Sequence, residues 1–133
     1  MFHNYLDIRI LGDRKYQVLS PMKYEDHEIE IEILSGFIFN GGNVPKILWS
    51  IIECPIGGKA SRPFALHDIL YGTKFVSRYM ADRILYRSLL DEGVDRAEAI
   101  SIYLGVRAGG SSAYESIDNN TMSWEFIKIR TKR

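Results

Sequence analysis

Cysteine is nearly missing from this chain of 133 residues: Cys54 stands alone, so no internal disulfide can close. That fits a reducing compartment. Net charge is missing as well, because 17 Lys and Arg balance 17 Asp and Glu. A neutral chain lacks the basic face that tight binding to a phosphate backbone needs, so no nucleic-acid partner is expected. No apolar run approaches the roughly 20 residues of a bilayer-crossing helix. Met1-Phe2-His3-Asn4 does not begin a basic-then-apolar leader, so the expectation is a cytoplasmic protein without a membrane partner. Histidine is scarce, at three residues, which limits imidazole chemistry to few places. His3 and His27 have no companion at ligand spacing and read as surface residues. The lysines and arginines gather only in the tail, Lys128 to Arg133, a run that reads as solvated.

What is present suits one globular domain spanning 1–133. The first third reads as strands. Leu6, Ile8 and Ile10 alternate with Asp7 and Arg9, and Gly12-Asp13 supplies a turn. Tyr16 and Val18 open a second alternating run, followed by Pro21 and the polar turn Glu25-Asp26-His27. Ile29, Ile31 and Ile33 then alternate strictly with Glu28, Glu30 and Glu32. This predicts a half-buried antiparallel strand with its glutamates in water. Ser35 to Pro45 reads as irregular, rich in glycine, and leads into a short helix capped by Asn43 and carrying Ile47, Leu48, Trp49, Ile51 and Ile52. Gly41-Gly42 lacks the spacing and the lysine of a phosphate-binding loop.

Three helices follow in this reading. The first runs from Arg62 to Leu70 or Tyr71, capped by Ser61 and ended by Gly72. The second runs from about Arg78 to Glu92, capped by Ser77 and stopped by Gly93. Its core stripe is Ala81, Ile84, Leu85, Ser88 and Leu89. The third starts at Asp95 with a capping box to Glu98, turns Ala99, Ile100, Tyr103, Leu104 and Val106 inward, and ends at Gly109-Gly110. A Gly/Ser/Asn-rich loop precedes a last strand over 123–130. The expected fold is α+β: an antiparallel sheet of the N-terminal strands plus the C-terminal strand, packed against about three helices.

Ser61 to Asp82 is the stretch where chemistry could gather. It holds the only His-Asp dipeptide, His67-Asp68. Adjacent helical residues point about 100° apart, so the two cannot share one small spot unaided. His67 shares a face with Tyr71, and Arg78 shares one with Asp82. If the two helices form a hairpin, Asp82 approaches His67 or Asp68. Three uses compete. The polar groups form a structural cluster, with the acids pairing Arg78, Arg83 or Arg107. Alternatively His67, Asp68 and Asp82 hold a divalent metal, with the Asn40–Asn43 loop closing the site. Or His67 is a general base oriented by a carboxylate. Cys54 precedes a proline in an apolar setting that would raise a thiol pKa, which disfavours a Cys-His hydrolase.

The segments GFIFNGGNVPKILW, FALHDILYG, SRYMADRILYRSLLDEGV and IYLGVRAGG, within about Tyr24 to Gly110, resemble a phage and prophage family, domain of unknown function 1353. Its pattern is Gly-Phe-x-x-Asp-Gly-Ala-Ser-x-Pro, a tryptophan, His-Asp-x-Leu-Tyr, Ser-Arg-x-x-Ala-Asp and Val-Arg-x-x-Gly. This chain departs in the first motif, with Asn40, Gly42 and Asn43 where the family has Asp, Ala and Ser. The resemblance implies a small α+β domain of phage or prophage origin and implies no reaction. The expectation is therefore a non-enzymatic virion or assembly component, or a small host-interacting factor. It would work in the host cytoplasm or within the virion, with a protein partner and no cofactor. Its polar cluster would be Asn40, His67, Asp68, Arg78 and Asp82. The alternative is a metal-dependent hydrolase using His67, Asp68 and Asp82.

Overall fold

A computed structural model describes residues 1–12, 15–40, 58–116 and 125–132. The alternating N-terminal stretches form strands β1 (Ile8–Gly12), β2 (Lys15–Val18), β3 (Met22–Glu25), β4 (Ile29–Ile33) and β5 (Ile38–Asn40). Three helices follow: α1 (Ser61–Thr73), α2 (Arg78–Asp91) and α3 (Arg96–Ser116). The C-terminal strand β6 (Ile127–Thr131) comes last among the described elements. The α+β class is as expected. The single expected sheet is instead two antiparallel sheets of three strands, ordered β1-β2-β5 and β3-β4-β6.

Strand β4 lies at the centre of the second sheet. Ile31 faces Tyr24 on one side and Ile129 on the other, and Ile33 faces Met22 and Ile127. All six of these except Ile129 are buried, so the apolar face is a continuous floor for the helices. The opposite face carries Glu30 and Glu32, but not in open water. Glu30 accepts from the Arg130 guanidinium at 2.8 Å and lies 3.6 Å from the Lys23 ammonium. Long basic stems from the flanking strands therefore half-cover the glutamate row. β3 went unseen in the sequence because Pro21 and the polar turn bracket it. The turn itself is built by Asp26, whose Oδ1 accepts the backbone N–H of Glu28 at 2.8 Å and of Ile29 at 3.0 Å. Phe2 bridges to Tyr24, so the first residues line the outer edge of β3.

The helix ends differ from expectation in two of the three helices. Ser61 does not cap α1; the flanking residue is Ala60, without a side-chain cap. Gly72 lies inside α1, which ends at Lys74 in the left-handed conformation (φ 55°), its N–H donating to the Leu70 carbonyl at 3.0 Å. The second difference is in α3, which runs through Gly109-Gly110 to Ser116, because two glycines weaken a helix without ending it. α2 behaves as expected: Ser77 Oγ accepts from the Met80 N–H at 3.1 Å, and Gly93 follows with φ 89°. Asp95 likewise accepts from the Ala97 N–H at 3.1 Å at the start of α3.

The three helices pack with α1 innermost. Pro63 to Tyr71 are all buried, so α1 is covered on every side. Its Ala65, Leu66, Ile69 and Leu70 join the floor of the second sheet, and its Phe64 joins Leu85, Leu89, Ala99, Ile102 and Val106 between the helices. The core stripe of α3 is thus Ala99, Ile102 and Val106. Ile100 and Leu104, expected inside, are exposed, and Tyr103 is half-buried against Tyr86. The short helix expected after Asn43, the Gly41-Gly42 pair, Cys54 and Trp124 lie outside the described residues.

Candidate functional site

The three-helix packing sets the depth of the polar groups. His67 leaves α1 toward α2, and Tyr71 follows it one turn on, with ring centroids 4.1 Å apart. Asp82 leaves the first turns of α2 toward both. Arg107 reaches in from α3. All four meet at the Asp82 carboxylate. Its Oδ1 accepts from His67 Nε2 at 2.7 Å and from the Tyr71 hydroxyl at 2.6 Å. Its Oδ2 accepts from Arg107 at 2.8 Å, and the Arg78 guanidinium stands 3.6 Å away. Arg78 also donates to the Val106 and Arg107 carbonyls at 3.3 and 3.4 Å, tying α2 to α3 a second time.

His67 and Asp82 are fully buried, so these contacts act in a low dielectric. Burial pushes the Asp82 carboxyl up. Hydrogen bonds from His67 and Tyr71, and the Arg107 guanidinium, outweigh it and hold the carboxyl below the usual carboxylate range. Burial, with the Asp82 bond and charge, pushes the Tyr71 phenol up, so it remains a donor. An ionised carboxylate only accepts, so His67 Nε2 carries its proton toward Asp82. The other ring nitrogen, Nδ1, is buried with no hydrogen-bond partner.

His67, Arg78 and Asp82 thus come together as the helix spacing anticipates. Asp68 is buried on the next position of α1, about 100° round the helix from His67. Asn40 ends β5, where its backbone pairs with Lys15; its side chain lies outside the described residues. Tyr71 completes the cluster and was not among its expected members, whereas Arg107 is one of the three arginines expected to pair with the acids and takes Oδ2. The signals were present: Tyr71 stands at i+4 from His67, and Arg107 lies one turn beyond the Tyr103 that packs on α2. Among the described residues, no group of three or more His, Cys, Asp and Glu side chains is placed to hold a metal ion.

Taken together, the two small antiparallel sheets, the buried central helix and the closed carboxylate cluster define an α+β protein with a polar knot between its helices. The chain belongs to the family described as protein of unknown function (DUF1353), whose model matches residues 16–106. That span runs from β2 to the residue before Arg107 and includes every other member of the knot. Neither a curated protein nor a solved structure matches the chain.

Proposed function

We propose that this protein is a non-enzymatic phage or prophage protein, a virion or assembly component or a small host-directed factor, that works through protein contacts. The observation that carries the non-enzymatic part is the state of Asp82. Its carboxylate is fully buried and receives three hydrogen bonds, from α1 twice and from α3 once. A buried carboxylate so occupied is spent on joining three helices, with its hydrogen bonds taken up inside the protein. The phage origin rests on the motif resemblance alone.

One observation favours a second reading. His67 Nδ1 is buried without a hydrogen-bond partner while the other ring nitrogen meets a carboxylate, the placement found in a metal-bound histidine or a general base. This keeps the divalent-metal hydrolase built on His67, Asp68 and Asp82 as the competing proposal.

Thermal melts separate the two. In a closed knot, Asp82→Asn removes the charge that Arg107 and Arg78 compensate, and the melting temperature falls. Zinc, manganese or magnesium leaves the wild-type melt unchanged. In a metal site, cation stabilises the wild type by linkage and fails to stabilise the variant. A metal-dependent rise abolished by Asp82→Asn overturns the non-enzymatic reading.

A further inference from the structure

The outer side of α2 and α3 carries apolar groups that the core does not use. Leu104 is 59% exposed, Tyr79 51% and Ile100 40%. They are not scattered. Ile100 and Leu104 are one turn apart on α3, and Arg107 follows Leu104 by three residues, so all three share a face. Arg107 then links this face to α2, its Cζ standing 5.4 Å from the Tyr79 ring centroid. Arg83 covers the same ring from one turn along α2, at 5.7 Å. The result is an aliphatic ridge running into a tyrosine held between two guanidinium groups.

Among the described residues, two guanidinium groups beside this ridge, Arg107 and Arg78, share one fully buried carboxylate, Asp82, which leaves an excess of positive charge. Arg83 makes no ion pair among the described residues. A basic, apolar helix face therefore stands on a chain with no net charge. Tyrosine and arginine are also the side chains over-represented where partners bind most strongly.

We infer that the ridge formed by Ile100, Leu104 and Tyr79 between Arg83 and Arg107 docks an acidic amphipathic helix of a partner protein. The occupant would lay leucine-like side chains along Ile100 and Leu104 and its carboxylates against the two arginines, the helix-in-groove mode. A second copy of this chain fits poorly, because it would set arginine against arginine. A nucleic acid would satisfy the cations and stack on Tyr79 but leave the aliphatic ridge wet. The inference rests on the reading of the chain as a binding protein and specifies its partner's chemistry.

The test is fluorescence anisotropy of the full chain with a labelled 18-residue peptide of leucine and glutamate in helical register. A lysine-for-glutamate version and a single-stranded oligonucleotide serve as the other probes. The expected result is saturable binding of the glutamate peptide, weakened at least tenfold by Leu104→Ser and by Arg83→Glu, and at least tenfold weaker for the lysine peptide. Both substituted residues lie outside the core, and unchanged melting temperatures confirm that the variants fold. No binding, equal binding by the variants, or tighter binding of the oligonucleotide overturns the inference. None of these outcomes alters the metal-dependent melts, so the two readings fail separately.

Discussion

A single carboxylate, Asp82, decides how the helices are joined, because its two oxygens divide the work. Oδ1 holds the α1 pair His67 and Tyr71, and Oδ2 holds Arg107 of α3. Gly36 is a second position where one residue type is required. Its φ is +103°, and a Cβ there would stand 2.8 Å from the Phe126 ring. Its N–H donates to the Val18 carbonyl at 2.7 Å, so the turn that leads from the second sheet back to the first depends on it. Gly36→Ala is expected to destabilise by more than about 1 kcal/mol, since a left-handed angle and a close ring act together. Chemical denaturation of the variant checks this.

The elements divide by how their signals compete. β4 is legible because its isoleucines and glutamates alternate without a break and its buried face meets apolar residues on both neighbours. Ile31→Ala should cost about 2–5 kcal/mol in urea denaturation. Glu30→Ala should leave the urea midpoint almost unchanged, because its ion pairs with Arg130 and Lys23 lie at the surface. β3 and β5 were not legible. Each is short, and each takes its shape from the neighbour it pairs with rather than from its own pattern. The end of α1 misled for a different reason: Gly72 is the natural stop, yet burial of Thr73 carries the helix one residue past it. Lys74 then takes the left-handed angle that glycine would adopt without strain. Lys74→Gly should raise stability by about 0.5–1 kcal/mol, read as a higher urea midpoint. α3 shows a third case. Its stripe was read correctly at Ala99 and Val106 but included Ile100 and Leu104 and omitted Ile102, because two apolar faces compete on one helix and only packing chooses between them. At the site, the His67–Asp82 meeting was legible from helix spacing. Arg107 was legible as one of three candidate partners of the acids, but the choice of Arg107 over Arg83 was not, because it depends on how α3 crosses α2.

Across the molecule four acids, Glu25, Asp26, Glu30 and Asp82, share one tendency. Glu25 is lowered to about 2 by the Lys132 and His3 hydrogen bonds. Asp26 and Asp82 are lowered although burial opposes it, and Glu30 is lowered chiefly by Arg130. A carboxylate with a depressed folded pKa contributes stability that is fully present above its unfolded value. That stability disappears as pH falls through the folded value. The urea midpoint should therefore hold steady from neutral pH down to about 4, the unfolded carboxylate range, and fall steeply below it. Asp82→Asn should shorten that acid limb, and an unchanged limb would remove Asp82 from its causes.

The pairing of β4 with β6 also governs time. β3 and β4 form a local hairpin, but Glu30 meets Arg130 across 100 residues. Contacts so distant in sequence close late, after the entropy of the intervening loop has been lost. During synthesis the ribosome has released both sheets' early strands and most of the helices before β6 exists. Until then β4 keeps an open edge beside its isoleucine face, the kind of edge that recruits other chains. Strand β6 therefore seals the β3–β4 hairpin made about 100 residues earlier, and the nascent chain spends its most adhesive interval waiting for it.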